Sequence, residues 1–263
     1  MSIREPTYVI CLERKNKERC DRNFPTVKNL FVNARRMKAV DALTLDFDDV
    51  DLSIYTKYHL QTGTETDVLH LNTKGGVGCN MSHINAWEVI AASGKGSFVI
   101  EDDVNIEGME KKILEAYKRL PDDVDFASFM YLNWGSTQKS DHVRYNEYWR
   151  TITSRYFSGL QMYYLTPAGA QKLLKYVFPI VTHMDVYVAY MASVKNNNFH
   201  GIFLEHNIYP LWPNEIYDNY INSTLGHSLT VKKILPDSNI FYYLFIVSYL
   251  SLVTFCIVKI LKR

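Results

Sequence analysis

The sequence contains few cysteines, and none of them has the spacing of a paired metal ligand. The four cysteines are Cys11, Cys20, Cys79 and Cys256 in a chain of 263 residues. The absence of a C-x-x-C pair argues against a zinc site of the common structural type. Because disulfide frameworks belong mostly to short secreted chains, we expect reduced cysteines and a reducing compartment.

The sequence also lacks a strong excess of either charge. The formal net charge is +1, and three basic residues lie in the last five positions, 259–263. The rest of the chain therefore has 26 of the 29 basic residues against 28 acidic ones, a net charge of −2. Such a body has no bulk electrostatic attraction to nucleic acid, so we expect no nucleic-acid partner. With 47% hydrophobic and 22% charged residues, the composition is that of a folded globular protein.

No apolar signal stretch is present in the first six residues, whereas the C-terminus has a long apolar run. Residues 241–258 contain no charge, glycine or proline, and Lys259, Lys262 and Arg263 follow them. This length is close to the ~20 residues that cross a bilayer core. We predict a globular domain over residues 1–235 and a C-terminal transmembrane anchor with a basic tail over residues 236–263. A buried core helix is the alternative.

The predicted anchor makes the chain a single-pass membrane protein whose domain we expect to face the cytosol. A C-terminal anchor without a signal peptide indicates insertion after translation. The basic tail favours the opposite orientation by the positive-inside rule, but Lys232 and Lys233 on the other flank weaken that bias.

Short apolar runs alternate with helical patterns along the predicted domain. Strands are predicted over residues 7–12, 36–40, 97–100, 124–132 and 161–165, and helices over residues 80–92, 107–120 and 186–194. We expect Pro25 to end the charged segment after the first strand, Gly94 to end the helix over 80–92, and Pro167 to lie in a first helical turn. The pattern predicts an α/β fold with a mostly parallel sheet flanked by helices, which binds ligands at the carboxyl ends of its strands.

Three consecutive carboxylates follow the predicted strand over residues 97–100. Glu101, Asp102 and Asp103 repel one another, and a hard divalent cation such as Mg²⁺ or Mn²⁺ would neutralise them. In extended backbone, Glu101 and Asp103 share one face while Asp102 lies on the other. A solvated strand end or a helix cap is the alternative interpretation.

A glycine-rich block lies about twenty residues upstream, with the sequence GGVGCNMSH over residues 75–83. Glycines allow close backbone approach or positive φ. Asn80 or Ser82 could cap the helix that follows. His83 is either a functional group or a hydrogen-bonded histidine of the core.

These segments together resemble glycosyltransferase family 25, which includes lipooligosaccharide and procollagen galactosyltransferases. The resemblance is carried by residues 8–22 (YVICLERKNKERCDR), 39–42 (AVDA), 78–83 (GCNMSH), 86–87 (AW), 98–104 (FVIEDDV), 159–170 and 184–187 (MDVY). It implies a GT-A type, Rossmann-like fold and a nucleotide-sugar donor, UDP-galactose or UDP-glucose. It also implies a divalent cation, Mn²⁺ or Mg²⁺, and a glycan or protein acceptor.

The resemblance also assigns roles to residues of this chain. Glu101 and Asp103 take the place of the metal and ribose ligands of a DxD motif, and the late His227 is a further candidate metal ligand. Asp185 matches the family's later Asp and is the candidate base of an inverting transfer. Five residues are candidates for binding the nucleotide-sugar cofactor: Arg14, Asp41, Ser82, His83 and Asp102. This chain has Ala42 where the family usually has glycine.

Two other functions stay open. A phosphoesterase or nuclease could use the carboxylates for its cation, but it predicts further Asp and His clusters near them, and none is found in the sequence. A membrane-tethered binding protein with an inactive transferase-like domain predicts loss of the motif carboxylates, whereas Glu101, Asp102, Asp103 and Asp185 are all present.

Overall fold

The computed structural model describes residues 2–62, 71–131, 141–155 and 157–206. Strands and helices alternate over most of this part of the chain. The strands are β1 (Thr7–Cys11), β2 (Ala34–Lys38), β3 (Ser97–Glu101), β4 (Phe126–Met130), β5 (Val143–Arg144), β6 (Trp149–Thr151), β7 (Met162–Leu165) and β8 (Gly201–Leu204). The helices are α1 (Glu13–Leu30), α2 (Ile54–Thr62), α3 (Lys74–Ser93), α4 (Glu110–Tyr117), α5 (Pro167–Leu174) and α6 (Met184–Ser193).

The strands form one sheet in the order β2-β1-β3-β7-β4-β8-β6-β5. The α/β class and the flanking helices are confirmed, but the expectation of a mostly parallel sheet is wrong. Strands β1, β2 and β3 pair in parallel, and so do β4 and β8, whereas β7 is inserted antiparallel between β3 and β4. Strands β5 and β6 extend the sheet with antiparallel pairings. A strand buried on both faces is a continuous apolar run in either direction, so its hydropathy does not reveal its orientation.

Helices cover both faces of the sheet, and β3 shows how its residues divide between them. Val99 packs into the apolar cluster that contains α3, α5 and α6 residues. Phe98 and Ile100 pack into the opposite cluster, which contains residues of α1 and α4. Because alternate side chains of a strand point to opposite faces, β3 delivers successive residues to α3 on one side and to α1 on the other.

Helix α1 continues through Pro25, so the predicted end at this proline is wrong. A proline inside a helix removes one hydrogen bond and costs roughly 3 kcal/mol. The following turns bury Val27 and Leu30 in the core, and this packing offsets the cost. Tertiary packing therefore overrides the local preference of the sequence.

Helix α3 begins at Lys74, six residues before the predicted start. Its N-cap is Thr73, whose side chain accepts a hydrogen bond from the Gly76 N–H, so neither Asn80 nor Ser82 caps it. The predicted end is confirmed, because Gly94 adopts φ of 66° at the C-cap. Pro167 is also confirmed in the first turn of α5.

Cys11 and Cys20 form a disulfide, contrary to the expectation of reduced cysteines. Cys11 ends β1 and Cys20 lies in the second turn of α1, so the tight β1–α1 connection brings their Cα atoms to 5.7 Å. A spacing of nine residues does not indicate such a pair unless the helix is known.

No helix in the described ranges has the length and apolar character needed to cross a membrane. The predicted anchor over residues 241–258 and the predicted boundary at residue 235 lie outside the described residues.

Candidate active site at the end of strand β3

The three consecutive carboxylates sit where β3 ends, and they divide between the two faces of the sheet. Glu101 is the last residue of β3 and approaches α3 through its contact with His83. Asp102 turns to the other face and pairs with Arg19 of α1. Glu101 and Asp102 therefore contact elements on opposite faces of the sheet, as the sequence predicts for these two residues, and the shared face of Glu101 and Asp103 stays a prediction.

Asp102 is buried, and both oxygens of its carboxylate have hydrogen-bond partners within the protein. One of its oxygens accepts the Leu12 N–H at 3.1 Å, and the other pairs with the Arg19 guanidinium. The Asn23 side-chain amide donates to the Asp102 backbone carbonyl at 2.8 Å. Burial raises the pKa of Asp102 above its ordinary value, although Arg19 acts in the opposite direction. These contacts fix the end of β3 against α1.

Glu101 belongs to a buried chain of hydrogen-bonded side chains. His83 Nε2 lies 3.2 Å from Glu101 Oε1, and His83 Nδ1 lies 3.0 Å from the Tyr163 hydroxyl. The Trp87 indole N–H donates to the same hydroxyl at 2.8 Å. Burial raises the pKa of the Tyr163 phenol well above its ordinary value, so Tyr163 stays protonated. Glu101 Oε1 is thus held by the buried His83 side chain, while 27% of the Glu101 side chain is exposed to solvent.

Asp103 is the most accessible member of the triplet. Desolvation by the surrounding protein and the negative charge of Glu101 raise its pKa to about 7. The residue is nevertheless exposed, so a cation can approach it from solvent. Two mutually repelling carboxylates at an accessible edge are a set of oxygen donors that fits Mn²⁺ or Mg²⁺.

Cys79 lies at the centre of this region and was not among the predicted site residues. Its thiol has a strongly raised pKa, first because it is buried and then because of the charges of Glu101, Asp185 and Asp103. Ligand atoms of Cys79, His83 and Glu101 lie within 4.8 Å of one another. Cys79 and His83 stand four positions apart on α3, and this spacing was the available signal that they share a face.

Helix α3 also contacts the segment that contains Asp41, through Gly78 and Ser82. A Cβ on Gly78 would lie 2.8 Å from the Val40 carbonyl oxygen, so the close approach of the two backbones requires glycine. The Ser82 hydroxyl accepts the Val40 N–H at 2.8 Å and donates to the Gly78 carbonyl at 2.7 Å. Ser82 is buried and both of its hydrogen bonds are internal, so it positions the chain before Asp41.

Arg14 and Asp41, two of the predicted donor-binding residues, lie together in the structure. The Arg14 Nε atom is 2.5 Å from Asp41 Oδ2, and the other oxygen of Asp41 accepts the Leu43 N–H at 3.0 Å. Ala42 has no positive φ, so this turn does not require the glycine that the family usually has.

Asn80 ties the same stretch of α3 to the first turn of α6. Its amide donates to the Thr182 carbonyl at 2.8 Å, and its side-chain oxygen accepts the Met184 N–H at 3.1 Å. Asp185 follows in the first helical turn, where its carboxylate accepts the Gly159 N–H at 3.1 Å and the Val186 N–H at 2.8 Å. Asn80 therefore positions the helix end that carries the candidate base. The remaining predicted ligand, His227, lies outside the described residues.

Helix α3 thus contacts the segment before Asp41, Glu101 at the end of β3, and the start of α6 that carries Asp185. The family model described as "Glycosyltransferase family 25 (LPS biosynthesis protein)" matches residues 4–188, which include all of these groups. The chain belongs to glycosyltransferase family 25. The resemblance seen in the sequence is confirmed at the level of the family.

Two curated proteins of family 25 are similar to this chain. "Probable inactive glycosyltransferase 25 family member 3" of Rattus norvegicus is 29% identical over 178 residues, which cover 65% of this chain and 30% of the rat protein. "Inactive glycosyltransferase 25 family member 3" of Mus musculus is 28% identical over 176 residues, which cover 65% of this chain and 28% of the mouse protein. The alignments therefore cover less than a third of each relative.

Proposed function

We propose that this family 25 chain is a metal-dependent glycosyltransferase that moves galactose or glucose from a UDP-sugar to a hydroxyl of a glycan or protein acceptor. The observation that carries the proposal is the convergence of Glu101, Asp103 and Asp185 on one place. Helix α3 links two of them, because His83 lies 3.2 Å from Glu101 and Asn80 accepts the Met184 N–H at 3.1 Å next to Asp185, and the charges of all three raise the pKa of the Cys79 thiol between them. Carboxylates gathered from separate elements are typical of a functional site.

Glu101 and Asp103 are the residues that would hold Mn²⁺ or Mg²⁺. Their oxygen donors suit a hard cation, and a cation would relieve the repulsion that raises the pKa of Asp103. When bound, the cation would stabilise the negative charge of the diphosphate leaving group. Asp102 would support the site indirectly by fixing the strand end through Arg19.

Asp185 is the proposed base, which would take the proton of the acceptor hydroxyl in a single inverting displacement. Its carboxylate is held by backbone N–H groups of Gly159 and Val186 and therefore has a defined direction. Arg14 follows β1 and Asp41 follows the neighbouring strand β2, and their ion pair is the proposed contact to the nucleotide.

A second candidate function is donor binding without transfer, because the names of the rat and mouse relatives describe those proteins as inactive. Both functions retain the cation and nucleotide site, and they differ only in turnover. Family membership favours either of them over the phosphoesterase alternative.

Release of UDP by the full-length chain distinguishes the candidates. We expect release from UDP-galactose or UDP-glucose, within a panel of nucleotide sugars, in the presence of Mn²⁺ and its loss in EDTA. Binding of a UDP-sugar without release, under every acceptor condition tested, would favour the binding protein. Neither binding nor release across the panel would refute both.

Membrane attachment through residues 241–258 and a cytosolic domain remain proposals from the sequence. Protease treatment of intact membrane vesicles tests the orientation. Digestion of the domain from the cytosolic side supports the proposal, whereas protection contradicts it.

A further inference from the structure

The hydrogen bonds around Tyr163 determine which nitrogen of His83 carries its proton. Tyr163 is fully buried, so its hydroxyl proton needs an acceptor within the protein. The Trp87 indole N–H can only donate, so it occupies the Tyr163 oxygen as an acceptor. Among the described residues, the other hydrogen-bond neighbour of this hydroxyl is His83 Nδ1 at 3.0 Å, which accepts the hydroxyl proton and therefore carries none itself.

The same reasoning extends to Glu101. A neutral imidazole has one N–H, and with Nδ1 unprotonated it lies on Nε2. His83 Nε2 is 3.2 Å from Glu101 Oε1, so this N–H donates to the carboxylate. The chain of donors runs from Trp87 through Tyr163 and His83 to Glu101, and each donor has an acceptor.

We propose that His83 is a positioning residue, held by Tyr163 and Trp87 as the Nε2–H tautomer, that orients the Glu101 carboxylate for a divalent cation. His83 then neither binds the cation nor contacts the donor, in contrast to the role that the family resemblance implies for it. The proposal rests on the proposed function, because it needs Glu101 to be a cation ligand. Groups that orient a metal ligand in this way typically contribute roughly 10- to 100-fold to metal affinity.

The location of His83 supports a fixed orientation. Its side chain is 2% exposed and is carried by α3, whereas Glu101 ends the neighbouring strand β3. Of the two carboxylates proposed to hold the cation, Glu101 is the one that contacts a buried side chain within the described residues, and that side chain is His83. Loss of the contact would leave the Glu101 side chain free to change rotamer.

Glutamine at position 83 provides the decisive variant. An amide presents an acceptor oxygen beside a donor N–H, as the Nε2–H imidazole does. With its oxygen accepting from the Tyr163 hydroxyl, the group that it turns to Glu101 is an N–H, which cannot bind a metal ion. His83→Gln should therefore keep Mn²⁺ affinity close to that of the unchanged chain. His83→Leu, which has neither group, should weaken Mn²⁺ binding by roughly 10- to 100-fold.

A matched control addresses folding. His142 is a second buried histidine, accepts a hydrogen bond from the Thr153 N–H, and precedes β5 at the far end of the sheet. His142→Leu should lower thermal stability without changing Mn²⁺ affinity. A loss of Mn²⁺ affinity in both leucine variants would assign the effect to general destabilisation and overturn the proposal.

The experiment measures the Mn²⁺ dissociation constant of the full-length protein and its variants by titration, and the His83 tautomer by nitrogen NMR. We expect His83→Gln to retain Mn²⁺ affinity and His83→Leu to lose it. We also expect the NMR spectrum of the unchanged protein to show the Nε2–H tautomer of His83. Equal affinities in all variants that bind, or an Nδ1–H tautomer, would overturn the positioning role while the proposed function stands. Failure of the unchanged protein to bind Mn²⁺ would overturn the metal-dependent function, and the positioning role with it.

Discussion

The Arg19 guanidinium on α1 pairs with the buried Asp102 carboxylate, which is the middle member of three consecutive carboxylates at the end of β3. Arg19 of α1 thus neutralises the charge of Asp102. Glu101 contacts His83 on the α3 side of the sheet, and its charge raises the pKa of Asp103. The three carboxylates therefore differ in role, and substitutions should separate these roles.

Asp102→Ala should destabilise the fold more than it changes the chemistry. The substitution removes the acceptor of the Leu12 N–H and the partner of Arg19. Burial of the carboxylate offsets part of the ion-pair energy, so we expect a loss of about 2 kcal/mol in the free energy of unfolding. Urea denaturation followed by circular dichroism measures it.

Asp103→Ala is the matched comparison for Asp102→Ala. Because Asp103 is exposed, the variant should fold normally and lose Mn²⁺ affinity. Unfolding of Asp103→Ala with normal cation binding in Asp102→Ala would reverse the assigned roles.

Asp185→Asn should slow the transfer step without preventing donor binding. The asparagine side chain can still accept a backbone hydrogen bond but cannot take a proton from the acceptor. Loss of a general base typically reduces kcat by roughly 10²- to 10⁴-fold. Steady-state kinetics and UDP-sugar titration measure the two effects. A kcat unchanged by the substitution would show that another group is the base.

The raised pKa of Asp103 makes cation affinity depend on pH. Desolvation and the charge of Glu101 raise this pKa from 3.8 to about 7, so protonation competes with the cation as the pH falls through about 7. Mn²⁺ titrations at several pH values should show weakening below that point, and Asp103→Asn should remove this dependence. An affinity that is equal on both sides of pH 7 would contradict the assignment.

Without a cation, the stability of the fold should change with pH in the opposite sense. Between pH 3.8 and about 7 the folded state binds the Asp103 proton more tightly than the unfolded state does. The free energy of unfolding therefore decreases as the pH rises through this interval. The difference in melting temperature between the unchanged chain and Asp103→Asn, recorded in EDTA, tests this sign.

The Cys11–Cys20 disulfide should stabilise the connection between β1 and α1. Closure of this nine-residue spacing corresponds to about 3 kcal/mol in the chain-entropy description. Cys11→Ala with Cys20→Ala should lower the free energy of unfolding by that order, and Cys79→Ala is the single-thiol control. Denaturation curves with and without reductant measure the effect.

The disulfide also bears on the compartment. Disulfides are rare in a cytosol that keeps thiols reduced. Alkylation of the protein in intact cells reports its thiol state. Free Cys11 and Cys20 thiols would agree with the predicted cytosolic domain, and a formed disulfide would contradict it.

Local patterns predicted those features that depend on neighbouring residues. The apolar run of β1, the glycine that ends α3 and the proline that opens α5 are local signals, and the structure confirms them. The alternation of Glu101 and Asp102 follows from strand geometry alone. These features were enough to locate the candidate site at the end of β3.

Features set by tertiary contacts could not be predicted in this way. The direction of β7, the passage of α1 through Pro25 and the Cys11–Cys20 pairing depend on packing between distant elements. The same holds for Ser82 and Asn80, whose polar groups have partners 42 and about 100 residues away. A single sequence shows that such residues are present but not which part of the chain they hold.

The position of the cation is the most direct test of the central claim. Crystals of the protein grown with Mn²⁺ and UDP, measured for anomalous scattering, should show one manganese peak in contact with the carboxylates of Glu101 and Asp103. The His83 side chain should contact Glu101 but not the ion. A peak bound to Cys79 and His83, or no peak near β3 at saturating Mn²⁺, would contradict the proposed site.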